Sequence, residues 1–297
     1  MLFTEKTPAD KRRDLRTRLK SGALLQFPGA HAPIVARIIE DYGFDGVYIS
    51  GAALSADLAL PDIGLTTLEE VAARGRTIAR VTDLPALIDA DTGFGEPMNA
   101  ARTVRELEDA GLSGCHIEDQ VLPKRCGHLD NKVLVDTATM AMKITAAVAG
   151  RRDENFLIMA RTDAKEAEGL DAAIERARAY VDAGADAIFP EALHNEGEFA
   201  AFRKAIDVPL LANMTEFGKT PLLTVKQLAD LGFNMVIYPV TSLRLAMKAI
   251  EDGFAQLKRD GTQAGIVPAM QTRQRLYEVL RYADYGAFDQ SIYNFKI

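Results

Sequence analysis

Apolar residues in this chain of 297 fall into short unbroken runs rather than alternating with polar ones. Runs at 23–27, 46–49, 86–90, 114–117, 156–160, 187–189, 209–212 and 235–238 have strand length and lie between turn residues. Continuous apolar character is what parallel strands need when both faces are covered. Between the runs, apolar positions at helical spacing predict helices over 100–110, 169–183 and 243–257.

An internal echo organises these elements. Four times a helical pattern ends at a glycine and a strand follows at once, at Gly43, Gly111, Gly184 and Gly232. The residue after a helix often needs left-handed backbone, which glycine adopts without strain. Two alternate strands are introduced by Asp-x-Pro instead, at Asp83 and Asp207. Eight β/α units without a break in composition predict a single α/β domain over 1–297, a (β/α)8 TIM-type barrel. An open α/β sheet with a helical C-terminal piece is the alternative. The stretch 51–64 reads as a long loop after the second strand. Beyond the eighth strand, helical patterns at 243–257 and 270–282 and an aromatic tail (Tyr285, Phe288, Tyr293, Phe295) exceed what one closing helix needs. Residues 243–297 therefore read as extra C-terminal helices packed on the barrel or on a partner subunit.

Composition narrows the class. Hydrophobic content of 48% supports a large core, and the net charge of −7 argues against nucleic acid as a partner. Two cysteines give no disulfide framework, the first twenty residues hold no apolar signal stretch, and no run reaches membrane-spanning length. The expectation is a cytoplasmic protein that does not engage membranes.

In a barrel of this type chemistry sits at the C-terminal ends of the strands, and polar residues collect there. Ser50 follows the second run, Asp89 and Asp91 the third, His116, Glu118 and Asp119 the fourth, and Arg161 and Asp163 the fifth. Glu191 follows the sixth, Asn213, Thr215 and Glu216 the seventh, and Tyr238 ends the eighth. Asp89-Ala90-Asp91 sets two carboxylates on one face of an extended segment, hard oxygen donors suited to Mg2+ or Mn2+. The pair could equally cap a turn near Gly93 and Gly95; Glu118 on the neighbouring strand favours the metal. Lys124-Arg125-Cys126-Gly127-His128 places a thiol among cations, which stabilises thiolate and suits Cys126 to acid–base work. Cys115, mid-strand, reads as a small core residue. Arg161, Arg244 and Arg273 are candidate carboxylate clamps, Arg161 foremost by its place at a strand end. No glycine-rich phosphate loop is present.

These residues resemble the signature of the isocitrate lyase and phosphoenolpyruvate mutase superfamily. The likeness runs through Ser50-Gly51, 60–64, 89–95, 116–120, Lys124 to His128, 159–164, 189–192, 213–218 and 270–273, nearly the whole chain in order. It implies Mg2+-dependent cleavage of a hydroxy tricarboxylate, (2R,3S)-2-methylisocitrate, to pyruvate and succinate, a reaction of the methylcitrate cycle in propionate catabolism. By resemblance, Asp89 and Asp91 would hold Mg2+ with Asp62 and Glu118. Ser50, Gly51, Ala52, Gly127, Arg161, Glu191, Asn213, Met214, Thr215, Arg244 and Arg273 would bind substrate. Cys126 would protonate the succinate carbanion, with Lys124 and His128 beside it, and Tyr48 is the candidate base. The superfamily's barrel exchanges its last helix between subunits, which implies a homotetramer built as a dimer of dimers. One departure is Ala52-Ala53, where close relatives carry more glycine. The alternatives within the superfamily are a lyase for isocitrate or a dialkylmalate, or a phosphonomutase or oxaloacetate hydrolase. A true isocitrate lyase would be longer, and the Lys-Arg-Cys-Gly-His loop counts against the mutase and hydrolase readings.

Overall fold

All eight apolar runs form strands: β1 (Leu25–Pro28), β2 (Val47–Ile49), β3 (Ala86–Asp89), β4 (Gly114–Glu118), β5 (Leu157–Thr162), β6 (Ala187–Pro190), β7 (Leu211–Asn213) and β8 (Met235–Tyr238). These belong to a computed structural model that describes residues 4–125, 127 and 132–293. Strands β2 to β6 pair in chain order and β1, β8 and β7 form a second sheet, every pair parallel. Parallel bridges Gly29–Tyr48 and Ile188–Leu210 join the two sheets at both seams. The strands therefore close in chain order, and the open-sheet alternative is set aside.

Period-two alternation then sorts the side chains into two cores. Outward residues such as Val47, Ile49, Ile88, Cys115, Ile117, Ile158 and Ile188 pack in one large cluster that also takes in buried residues of the helices. The helices are α1 (Pro8–Lys20), α2 (Pro33–Asp41), α3 (Gly51–Asp57), α4 (Leu68–Ala79), α5 (Pro97–Asp109), α6 (Thr137–Gly150), α7 (Ala164–Glu168), α8 (Leu170–Asp182), α9 (Glu196–Ala205) and α10 (Val225–Asp230). Inward residues, among them Phe27, Leu87, Leu157, Met159, Phe189, Leu211 and Ile237, form a separate cluster inside the barrel. The glycines of the internal echo behave as their positions imply: Gly43, Gly111, Gly184 and Gly232 have φ between 73° and 102°.

Helix α1 closes the N-terminal mouth. Thr7 and Asp10 cap it reciprocally, and its Leu15 and Leu19 join the inner cluster. Its polar side finds carbonyls at the strand-entry turns. Lys11 Nζ donates to Ala79 O at 2.9 Å, Arg12 Nε to Leu112 O at 2.8 Å, and Arg16 Nε to Asn155 O at 3.1 Å. Both cations at positions 11 and 12 are buried, which their carbonyl partners make tolerable.

The sequence expectation is corrected at two places. The stretch after β2 is not wholly loop, because Ser50 Oγ accepts the Ala53 N–H at 3.3 Å and starts α3. The predicted helix over 270–282 is two elements, α11 (Thr241–Asp260) being followed by a 3-10 turn (Ala264–Ala269), α12 (Arg273–Val279) and α13 (Tyr282–Tyr293). Arg281, with φ 56°, breaks the helix between the last two.

By its contacts the chain divides into two units, Met1–Ser242 and Leu243–Ile297. In the second, Tyr277 and Tyr282 stack at 4.9 Å, and Val279 is the one buried residue among those described. Its own packing leaves Met247, Ile250, Phe254 and Leu257 of α11 uncovered.

Leu15 is fully buried where the barrel floor closes. Leu15→Ala should lower unfolding free energy by about 2–5 kcal/mol, because the rigid strand ends cannot collapse into the void. Urea denaturation with an unchanged m-value would register it, and a loss below about 0.5 kcal/mol would mean that α1 is not part of the cooperative core.

Candidate active site

Inward positions change character along each strand. Leu87 is followed by Asp89, His116 by Glu118, Met159 by Arg161, Phe189 by Glu191, and Leu211 by Asn213, each two residues on. Because the strands are parallel and in register, the polar members fall in one layer at the C-terminal mouth. Asp89 pairs in register with His116, and Glu118 with Arg161.

Arg161 occupies the centre of that layer. Its Nε and Nη2 donate to the two oxygens of Asp163 at 3.0 and 3.1 Å. Nη1 lies 3.2 Å from Glu118 Oε2 and Nη2 lies 3.5 Å from Glu191 Oε2. The guanidinium carbon stands 5.2 Å from the Phe189 ring centre, within cation–π range. Burial alone would push its pKa down, but Asp163, Glu118 and Glu191 outweigh it and hold it well above the ordinary value. Asn213 Nδ2 donates to Glu191 Oε2 at 3.2 Å, bringing β7 into the same group.

A second cation, Lys124, sits among the candidate metal ligands. Its Nζ is bonded to Asp62 Oδ1 and lies 2.7 Å from Asp91 Oδ1. Burial works against its charge, yet Glu118, Asp89, Asp91 and Asp62 together raise its pKa. Asp89 is also pulled two ways: burial raises its pKa, but His116, Lys124 and Arg161 outweigh that and leave it lowered. Asp91 is raised, by burial and then by the charge of Asp89, and burial lifts Glu118 well above the ordinary range. Thr66 donates to Asp91 Oδ2 at 3.3 Å, and a cavity of about 750 Å³ lined by Thr66, Thr67, Phe94 and Asn99 opens beside it. Gly51 meets Asp89 from the other side; a Cβ there would lie 2.9 Å from Oδ2, so only glycine lets the backbone approach.

Carboxylates (Asp62, Asp89, Asp91, Glu118, Asp163, Glu191) outnumber cations (Lys124, Lys132, Arg161) two to one in this layer, where all but the half-buried Asp62 are buried. Glu118 Oε1 is buried without a hydrogen-bond partner among the described residues. An oxygen-rich donor set with surplus negative charge fits a hard divalent cation. Among the described residues no three His, Cys, Asp or Glu side chains form a closed metal cage by themselves.

Tyr48 and His116 share a hydrogen bond of 2.7 Å between the phenol oxygen and Nε2. Burial pushes the imidazole down to about 4, so it is neutral at pH 7, and burial raises the Tyr48 phenol well above its usual value. His116 Nδ1 faces Asp89 Oδ1 at 3.7 Å.

The segment after β4 leaves and returns along its own backbone. Val121 N–H donates to Val133 O at 2.8 Å and Val135 N–H to Asp119 O at 2.9 Å. Gln120 grips Arg125 at both its N–H and its carbonyl, each at 2.8 Å. Gly127 is seated against the Arg161–Glu191 pair: a Cβ on it would fall 2.4 Å from Glu191 Cγ and 2.5 Å from Arg161 Nη2. Cys126 and His128 lie outside the described residues.

The expected site residues divide accordingly. Tyr48, Ser50, Gly51, Asp62, Asp89, Asp91, Glu118, Lys124, Gly127, Arg161, Glu191, Asn213 and Thr215 belong to the mouth of the barrel, with Ala52 half-buried in the first turn of α3. Met214 turns the other way into the outer core, where its sulfur accepts the Leu223 N–H at 3.2 Å. Arg244 and Arg273 belong to the second unit, in α11 and at the start of α12. Cys115 is a buried core thiol, pushed up to about 12 by burial.

Sequence reasoning placed His116 and Asp119 at the end of the fourth strand without giving either a role, and it passed over Thr66 and Lys132, which act across elements and left no local sign. Asp119 is the buried anchor behind the layer. Its Oδ1 accepts the Asp163 N–H at 2.9 Å, and its Oδ2 accepts hydroxyls from Thr162 and Tyr180, both at 2.8 Å. Arg176 Nη1 stands 3.6 Å from the same oxygen. Asp119→Ala strands these donors in a dry interior and should cost about 3–5 kcal/mol of stability by urea denaturation. A loss under about 1 kcal/mol would show that the anchor is dispensable to folding.

Residues 15–258 match the family model described as phosphoenolpyruvate phosphomutase. A Corynebacterium glutamicum protein, probable 2-methylisocitrate lyase 1, is 61% identical over 99% of this chain and 97% of its own length. Oxaloacetate acetylhydrolase bound to the inhibitor 3,3-difluorooxalacetate superposes with a TM-score of 0.92 at 33% identity, covering 98% of this chain and 100% of that one. Phosphonopyruvate hydrolase in complex with oxalate and Mg2+ does so with a TM-score of 0.86 at 33% identity, over 96% and 99%. Matched across its barrel in sequence and across nearly its whole length in structure, this chain belongs to the phosphoenolpyruvate phosphomutase family.

Proposed function

We propose that this protein is a carbon–carbon lyase that cleaves 2-methylisocitrate to pyruvate and succinate, in the methylcitrate route of propionate catabolism. The observation that carries the reading is the buried layer of carboxylates around Arg161 and Lys124, with Gly127 of the Lys-Arg-Cys-Gly-His segment seated on it. The 61% identity to a probable 2-methylisocitrate lyase supports the same substrate.

Asp89 and Asp91 would hold Mg2+, or Mn2+ in its place, with Asp62 and Glu118 contributing partly through water. The phosphonopyruvate hydrolase complex with oxalate and Mg2+ supports Mg2+ as the ion. The ion, when bound, supplies electrostatic stabilisation to the oxygen on C2 as charge develops there. Arg161, already forked on Asp163, would bring its positive charge to a substrate carboxylate, Asn213 and Glu191 would offer polar contacts, and Ser50, Gly51 and Ala52 would complete the wall.

Bond cleavage needs one proton removed and one delivered. Loss of the C2 hydroxyl proton with scission of C2–C3 makes the pyruvate carbonyl and leaves the bonding pair on C3. Tyr48 takes the hydroxyl proton while passing its own to His116 Nε2 along their 2.7 Å bond. Cys126 Sγ delivers a proton to C3, giving succinate, and recovers it on turnover. Its cationic neighbours in sequence keep the resulting thiolate stable.

The chain works in the cytoplasm as a homotetramer in this proposal. The uncovered apolar stripe of α11 supports an exchanged C-terminal helix. No helix among the described residues is long and apolar enough to cross a membrane.

Incubation with 2-methylisocitrate, isocitrate, a dialkylmalate, oxaloacetate and phosphonopyruvate, each with Mg2+, tests the substrate. Pyruvate and succinate should form from 2-methylisocitrate, and kcat/KM for isocitrate should be at least about tenfold lower, the worth of one methyl in a fitted recess. Chelation should abolish turnover and Mg2+ restore it. Faster turnover of oxaloacetate or phosphonopyruvate would replace the lyase reading with a hydrolase or mutase one.

Cys126→Ser should lower kcat by about 10²-fold or more with KM little changed, since a hydroxyl is a far weaker acid than the thiol. Near-normal turnover would remove Cys126 from the proton delivery.

A further inference from the structure

Lys132 lies just past the segment that carries the proposed acid, and nothing in the proposed reaction uses it. Its side chain is only 1% exposed. Burying an ammonium costs several kcal/mol unless its donors are matched, so its partners indicate what holds it there. The Nζ group donates to the Gly127 carbonyl and lies 3.2 Å from Asp163 Oδ1.

Both partners touch the centre of the site. Asp163 Oδ1 also accepts Arg161 Nη2 at 3.1 Å, so Lys132 and Arg161 share one oxygen. Gly127 has no room for a Cβ because Glu191 and Arg161 fill that space. Asp163 cannot drift, because its N–H is held by Asp119 at 2.9 Å. Lys132 thus joins a fixed point on the barrel to the one part of the Cys126 segment seen against the Arg161–Glu191 pair.

We propose that Lys132 is a positioning residue that ties the Gly127 main chain to Asp163, setting the segment that bears Cys126 in register with Arg161 and Glu191. The inference rests on the lyase reading for its kinetic meaning, but the tie itself is observable without turnover. Removing the ammonium frees the Gly127 carbonyl and leaves Asp163 to Arg161 alone. Loss of alignment by about an ångström is enough to cost about 10²-fold in rate.

The test uses the full-length protein with Lys132→Met, which keeps the length of the side chain and removes its donors, and Lys132→Gln, which keeps one donor without charge. Two measurements are made on each: steady-state kinetics with 2-methylisocitrate and Mg2+, and the rate of iodoacetamide alkylation at Cys126 read by mass spectrometry. Cys115, buried and with its thiol pushed up to about 12, serves as the silent internal control. Lys132→Met should lower kcat by at least about tenfold with KM within about threefold, and should change the Cys126 alkylation rate severalfold while Cys115 stays unlabelled. Lys132→Gln should fall between it and the parent in both. An unchanged kcat and alkylation rate in the Met variant would overturn the proposal. So would losses in both variants that match their unfolded fractions, with Cys115 labelled in parallel. If the parent protein yields no pyruvate, the lyase reading fails instead, and the alkylation comparison still decides whether Lys132 holds the segment.

Discussion

A guanidinium buried at the mouth of a barrel needs several acceptors, and much of the site can be read as the means of supplying them to Arg161. Asp163 takes two of its N–H groups, Glu118 stands at 3.2 Å and Glu191 at 3.5 Å. Removing one partner of such a buried group leaves a bare charge, typically at a cost of about 3–5 kcal/mol. The acceptors are in turn held: Asp163 by Asp119, and Glu191 by Asn213 and by its own neighbour, Ala192 N–H at 2.9 Å. The rigidity of the strands below is therefore transmitted to the polar layer at the mouth.

The same layer concentrates negative charge. Lys124 relieves part of it by lying among Asp62, Asp91 and the more distant Asp89 and Glu118. Asp89 is held low by His116, Lys124 and Arg161 acting together against its burial, while burial pushes Asp91 and Glu118 toward protonation. Like charges this close favour any added cation, and the carboxylate oxygens favour a hard one. The neutral imidazole of His116 sets the other boundary. It is stacked beside Tyr48 and packed edge-on to Phe189, so the Tyr48–His116 side of the layer is neutral and aromatic and the Lys124–Asp91 side ionic.

Relatives on this barrel are named for different reactions, among them an oxaloacetate acetylhydrolase and a phosphonopyruvate hydrolase. The barrel and a carboxylate layer do not by themselves choose between such chemistries. In this chain the excursion after β4 carries the Lys-Arg-Cys-Gly-His segment. That excursion is pinned at its base by backbone pairing, along one side by Gln120, and near Gly127 by Lys132.

How much was legible in the chain depended on whether a feature was local. The eight apolar runs, the glycines that end four helices, and the strand-end positions of Asp89, Glu118, Arg161 and Glu191 follow from periodicity and turn chemistry, which act within a few residues. Strand limits moved by a residue or two, as at β5 and β7, because pairing with neighbours decides where a strand ends. The helix hidden after Ser50 and the break at Arg281 were missed because one cap and one left-handed residue set them. Closure of the two sheets, the pairing of Glu118 with Arg161, and the junction of Lys132, Gly127 and Asp163 join residues far apart in sequence. No local pattern encodes them. The sequence by itself determined which residues face inward and which are polar; only the folded barrel decided which of those charges meet, since register and closure are properties of all eight strands together.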